Sequence, residues 1–441
     1  MRPFIPILLL AALALAGAYP ARAAEPDTLG APPPGLLEFT PLAPASDSLA
    51  APSAPDAGLV GETEWLSASF GERLLTEPEA WREWRGHDGR HGHDGRFEPI
   101  ADYNRADLLR IGFAGETQDP STMAPRIGGR FEYATGRRRA LYGVQLEQPL
   151  LPRGRLAFGV SMSRRTDHSE LQQVDDVENS LALLFARQDY RDYFEREGFG
   201  AYLAWRVPDF SVVSVHARND TYRSLRLQGG TRSIFERDRV LRDNPPVDEG
   251  DIHAVLLRLE RQTRRTARTR AGLYHWIELE RAGHGMGGDF EYTRALADLR
   301  SVLRLSPTAT LALRAVGGTT ATGVLPAQKQ FTAGGVDGLR AHAFAQYRGN
   351  QLLLAQAEYT TALRRVRPRG FDAGLHAIAF VDAGRAWDDL GHAWDPARQH
   401  LQVDGGFGLA TSEDNLRVYV ARSLQRPRSG AVFSARLQRP F

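Results

Sequence analysis

His87, His91 and His93 alternate with Asp88 and Asp94 in the tandem GHDGRHGHDGR at 86–96. Imidazole and carboxylate donors of this kind bind zinc or copper. No helical or strand pattern fixes their geometry, so a solvated Gly-Asp turn segment is the reading preferred over a metal site. The chain has no cysteine, which removes thiolate metal sites, a Cys nucleophile and a disulfide framework. It contains no Gly-x-Ser-x-Gly elbow and no His-Glu-x-x-His. His253 and His275 stand on separate segments without a nucleophile beside them. These residues predict neither an enzyme nor a bound cofactor.

An ionic trio is more informative. Arg340 lies in a Gly-rich stretch at 325–350, behind Gly334 and Gly335, and Glu358 and Asp382 follow it. Around Glu358, Leu353, Ala355, Ala357 and Tyr359 share one side of a strand, so Glu358 points to the other. Around Asp382, Leu375, Ala377, Ala379 and Val381 share one side, so Phe380 and Asp382 point to the other. Two carboxylates on adjacent strands thus face the same interior. Like charges held close in a partly dry space are costly, and Arg340 is the cation that can answer them. Gly334 and Gly335 permit the tight turns that fold such a loop back.

The elements that must position this trio have a period of two. From about residue 102 onward, segments of roughly ten residues alternate apolar and polar. In the last, Ala431, Phe433, Ala435, Leu437 and Phe441 oppose Val432, Ser434, Arg436 and Gln438. Before it, Leu416, Val418, Val420 and Leu424 oppose Arg417, Tyr419 and Ser423. A soluble sandwich would bury the apolar face, whereas a membrane barrel turns it to lipid around a polar lumen. Export, clean amphipathic faces of membrane-crossing length and a terminal Phe441 favour the barrel. Its lumen would then hold Arg270, Arg294, Arg300, Arg304 and Arg314 with Asp298 and Glu278.

Ten strands are legible before the 325–350 loop, starting near Tyr103, Arg126, Arg139, Arg155, Phe199, Phe210, Asp251, Thr269, Phe290 and Ala309. Five follow, near Gln351, Leu375, His400, Asn415 and Ala431. Termini on one side of a membrane require an even number, so one strand is hidden. Residues 175–197 read as helical, with Val177, Leu181, Leu184 and Phe185 at helical spacing, Asp175 as cap and Gly198 as stop. The hidden strand lies either upstream of Tyr103 or within 167–198; the helical reading favours the N-terminal place. The fold class is an all-β transmembrane antiparallel β-barrel of sixteen strands, over 96–441, with a short, partly helical N-terminal periplasmic extension.

In order and spacing, Phe331, Gly334-Gly335, Leu339-Arg340, Glu358-Tyr359 and Phe380-x-Asp382-x-Gly384, ahead of Phe441, resemble one family. It is the BamA/TamA (bacterial surface antigen) superfamily of outer-membrane assembly factors, matched over the barrel part. Tyr103-Asn104-Arg105 with Leu108 resembles an early-strand signature of the same group. The resemblance implies that Arg340 locks onto Asp382 and Glu358 inside the lumen, and that Phe441 is the C-terminal assembly signal read by the barrel assembly machinery. It departs at the loop tip, where Ala341-His342 replace a glycine and an aromatic. It implies outer-membrane protein assembly or polypeptide translocation, with the lipid bilayer and a polypeptide cargo as partners.

The N-terminus reads as targeting. Arg2, the apolar run Ile5 to Ala16 and Ala21-Arg22-Ala23 form a secretory signal peptide over 1–23, which implies the outer membrane of a Gram-negative bacterium. Residues 24–95 read as a periplasmic Pro/Ala-rich linker and one short helix, where Thr76 and Glu79 form a capping box around Pro78, and Trp81 and Trp84 share a face. No β-α-α-β-β transport-associated module is expected there. That leaves an alternative function, a passive diffusion channel or structural barrel without insertase activity. The whole chain carries 55 basic and 53 acidic residues; losing Arg2 and Arg22 leaves 53 of each sign. A neutral mature chain argues against nucleic acid as partner.

Overall fold

The computed structural model describes residues 96–437 except 117–122, 152–154, 173, 208–210, 236–239, 262–271, 367–372, 390–395, 397–398, 412–415 and 427–429. Five strands come first: β1 (Arg96–Asn104), β2 (Leu108–Glu116), β3 (Arg126–Ala134), β4 (Arg139–Pro149) and β5 (Leu156–His168). A helix, α1 (Asp176–Ala186), precedes β6 (Tyr193–Arg206), β7 (Val212–Ser224), β8 (Gly250–Arg261) and β9 (Gly272–Ala282). Then come β10 (Tyr292–Ser306) and β11 (Ala309–Gly323). The short β12 (Phe331–Ala333) and β13 (Tyr347–Gly349) pair only with each other, inside the long loop. Last are β14 (Gln351–Val366), β15 (Ala373–Trp387), β16 (Gln402–Thr411), β17 (Arg417–Ser423) and β18 (Val432–Arg436). All but β12 and β13 form one sixteen-stranded antiparallel sheet in chain order.

Burial shows which way the strands face. Leu146, Val160, Phe199, Val215, Leu257, Leu279, Val381, Val418 and Phe433 are exposed on the outside. Arg110, Glu132, Glu147, Arg258, Glu278, Arg300, Arg314, Asp382 and Arg417 are buried on the inside. A soluble sandwich shows the reverse; an apolar exterior around a charged interior is what a bilayer stabilises. The interior is paired, not empty: Asp298 lies 2.7 Å from Arg300 and 2.8 Å from Arg314, and Glu278 lies 2.7 Å from Arg258.

The strand hidden from the sequence pattern is β1, and Tyr103 ends it rather than starting a strand. The Asn104 side chain accepts the amides of Ala106 and Asp107, at 3.0 and 2.7 Å. This Asx turn, with Leu108 in the left-handed region at φ 57°, folds β1 onto β2. The helix also ends earlier than expected. Asp175 caps it, but Arg187 is left-handed at φ 50°, and Gln188 N–H bonds back to Ala182 O. That C-cap stops the helix, and the aromatic pair Tyr193-Phe194 already begins β6, which runs through Gly198. Arg304 lies exposed near the end of β10 instead of in the buried interior, and Arg270 is outside the described residues.

Candidate functional site

The site begins on three adjacent strands. In the β14–β15 ladder Glu358 pairs with Phe380 and Gln356 with Asp382. In the β15–β16 ladder Asp382 pairs with Asp404. All five side chains point inward, because alternation leaves Tyr359, Ala379, Val381 and Val403 on the other face. Two aspartates directly opposite each other are unfavourable alone. The compensating groups arrive on the loop between β11 and β14.

That loop turns back at Gly334 and Gly335, whose φ angles of 118° and 87° suit glycine. Gly335 N–H then donates to Leu339 O and His342 O, both at 3.1 Å, closing a compact tip. Leu339 and Phe331 anchor the loop in the apolar cluster inside the barrel. The tip carries Arg340, which is 2 % exposed. Its Nε and Nη2 donate to the two oxygens of Asp382, each at 2.8 Å. Its Nη1 donates to Glu358 at 2.9 Å. The next residues answer the second aspartate: Ala341 N–H reaches Asp404 at 2.8 Å and His342 Nδ1 at 3.0 Å. Ala341 occupies the tip without a positive φ.

An aromatic floor lies beneath the guanidinium. Arg340 Cζ stands 3.6 Å from the Phe380 ring centre and 4.9 Å from that of Tyr419. The two rings meet edge to face at 5.7 Å. Gly406 makes room for them: a Cβ there would lie 2.7 Å from Phe380 and 2.0 Å from Val420 O. Arg417 pairs with Glu358, and Tyr419 OH donates to Glu358 at 3.2 Å. Two guanidiniums thus face Glu358 and Asp382. Burial alone would lower the Arg340 pKa, but Asp382 and Glu358 outweigh it and raise it. All three guanidinium nitrogens of Arg340 donate to carboxylates, so the group is a permanent cation in a desolvated socket.

The structure brings Arg340, Asp382, Glu358 and Phe380 together. Gly384 stands two positions along β15, where a Cβ would lie 2.5 Å from Leu353 O. It fits β14 to β15 and does not touch Arg340. Phe441 and the 87–94 histidine and aspartate residues lie outside the described residues. Gln356, Asp404, Arg417, Tyr419 and Gly406 were not anticipated as site residues. Alternation had already put Arg417 and Tyr419 on the polar face; only the curvature of the sheet shows that they reach Glu358.

Antiparallel order puts the 105–107, 169–192, 225–249 and 324–350 connections at one end, and there they interlock. Arg105 donates to Arg191 O at 2.7 Å and meets Asp192 at 3.2 Å. Asn244 bonds Tyr193 O and Leu225 O, both at 2.7 Å. Arg348 reaches Asp192 at 3.3 Å, and Gln328 donates to Asp248 O at 2.9 Å. Lys329, the chain's single lysine, reaches Glu280 in the wall at 2.8 Å.

A family model described as the Omp85 superfamily domain matches residues 125–411, more than half of the chain. Among solved structures, BamA from Haemophilus ducreyi lacking POTRA domains 1-3 is similar, with a TM-score of 0.53 and 11% identity. The match covers 79% of this chain and 71% of that one. CdiB from Acinetobacter baumannii matches with a TM-score of 0.41 and 13% identity, covering 78% of this chain and 59% of that one. CdiB from Escherichia coli matches with a TM-score of 0.43 and 10% identity, covering 77% and 62%. The chain therefore spans less than two thirds of either CdiB. No curated protein matches it.

Proposed function

The chain belongs to the Omp85 superfamily, and we propose on that footing that it is a non-enzymatic outer-membrane barrel serving outer-membrane protein assembly or polypeptide translocation. Residues 1–23 would export it into a Gram-negative cell envelope, and the barrel assembly machinery would insert it. The carrying observation is the seam. Every neighbouring pair from β1 round to β18 shares a hydrogen-bonded ladder, but among the described residues no ladder joins β18 to β1. A wall parts most cheaply where no backbone bonds must break inside lipid. An unpaired edge is also a template for another strand. The Arg340 socket holds the long loop against β14 and β15 and so stiffens the wall near that seam.

The alternative is a passive diffusion channel. The interlocked connections around Arg105 and the loop packed into the lumen speak against an open bore. Depletion of the protein should lower the abundance of specific outer-membrane or secreted proteins, measured by quantitative proteomics of membranes and medium. An unchanged profile, together with large steady conductance in planar bilayers, would favour the channel.

A further inference from the structure

The seam is not empty, because α1 stands in it. Tyr103 N–H on the edge strand β1 donates to Ser180 Oγ at 2.9 Å, and Ser180 donates to Asp102 at 2.6 Å. On the opposite edge, Arg436 at the end of β18 donates to Glu178 at 2.5 Å. A backbone amide on one side of the seam and a guanidinium on the other are thus both held by side chains of one helix. The Tyr103 amide is one that a closing ladder would otherwise take up.

The helix is oriented like the strands, with its apolar side out. Val177, Leu181, Leu184 and Phe185 form a stripe at helical spacing; Val177 is 46 % and Phe185 43 % exposed. Glu178 and Asn179 are buried on the inner side, where Asn179 bonds Tyr193 OH at 2.9 Å and Asp189 at 3.2 Å. Phe185 stacks on the exposed Phe235 at 6.3 Å. Ile234 N–H and Ser233 Oγ hold that loop on the helix end through Leu184 O and Leu183 O. In water a surface helix shows the opposite polarity. The flanking edge strands present Ala101 on one side and Phe433 and Ala435 on the other, all exposed.

We propose that α1 fills the seam as a helical stave, joining the first and last strands through its inner polar side chains and presenting its Val177–Phe185 stripe to the acyl chains of the bilayer. The inference rests on the reading of the barrel as membrane-embedded, and it is independent of what the barrel transports. Parting the seam then requires release of α1, by loss of the Ser180 and Glu178 bonds, rather than unzipping of a ladder.

The cysteine-free chain allows a direct test. Val177→Cys, and Val144→Cys on the outer face of β4, are each labelled with a small fluorophore in the full-length protein. Both are reconstituted into phosphatidylcholine vesicles with or without nitroxide-bearing acyl chains. Lipid-borne quenching at position 177 should fall within about twofold of that at position 144, with little quenching by aqueous iodide at either. Lipid quenching at 144 with only iodide quenching at 177 would overturn the stave. Iodide quenching at both positions would instead overturn the membrane reading beneath it. As a second measurement, Glu178→Cys with Arg436→Cys should be joined by a short bis-thiol reagent. Absence of that link in folded barrels would show that α1 lies away from the last strand.

Discussion

Arg340 and Asp382, 42 positions apart in the chain, meet through two parallel hydrogen bonds of 2.8 Å, guanidinium to carboxylate, over the ring of Phe380. The contact joins a loop entering from one end of the barrel to the inner face of its wall. Neither partner reaches solvent, so each depends on the other for the solvation it lost.

Arg340→Ala should therefore destabilise the barrel by about 3 kcal/mol or more, because it leaves Asp382 buried without its main partner. Asp382→Ala should cost a similar amount, and the double variant less than the sum of the two. Denaturant midpoints of the heat-modifiable folded form in detergent micelles measure all three. Additive effects would mean that the two residues act separately.

Gly318 on β11 faces Phe331 of the inserted loop, and a Cβ there would lie 2.6 Å from the ring. All three nearest atoms belong to that ring. Gly318→Ala should cost about 1–3 kcal/mol through overpacking. Adding Phe331→Leu should recover part of that loss despite the smaller side chain. A Gly318→Ala variant as stable as the parent would show that the loop is not seated there.

Arg105 is fully buried and touches the 169–192 and 225–249 connections together. Arg105→Ala should loosen the closed end. Planar-bilayer recordings should show more frequent and larger openings than in the parent protein. Identical traces would place the barrier to ions deeper in the barrel.

Phe441 continues the outward row of Phe433 and Ala435 in the sequence alternation. Deleting it should reduce outer-membrane insertion severalfold, whereas Gln438→Ala, on the opposite face, should leave insertion near the parent level. Immunoblots of membrane fractions, with heat-modifiability as the marker of folding, compare the two. Equal insertion would remove the terminal aromatic as an assembly signal.

Much of the wall was legible because a strand's periodicity is local. The directions of Glu358, Phe380, Asp382, Arg417 and Tyr419 follow from parity alone. The count of sixteen followed from parity too, although β1 was invisible as a strand. A nine-residue segment running straight into an Asx turn, with Pro99 inside it, gives too weak an alternation to separate from β2. The early end of α1 was missed for a related reason. Arg187 takes a left-handed cap that glycine usually fills, so nothing in its side chain marks the stop.

The amino-acid sequence by itself determined which face of each strand is polar, where the long loop turns, and that an arginine and two carboxylates lie within reach of one interior. These are consequences of side-chain alternation and of glycine's access to positive φ, both properties of a few consecutive residues. Only the tertiary structure decided that Arg417 and Tyr419 complete the Arg340 socket. It alone placed glycines at 318 and 406 to make room for the Phe331 and Phe380 rings, and put α1 between the edges of the sheet. Those relationships depend on how far the sheet curves before its ends approach. Curvature is set by the summed twist and stagger of sixteen strands, which no single segment encodes.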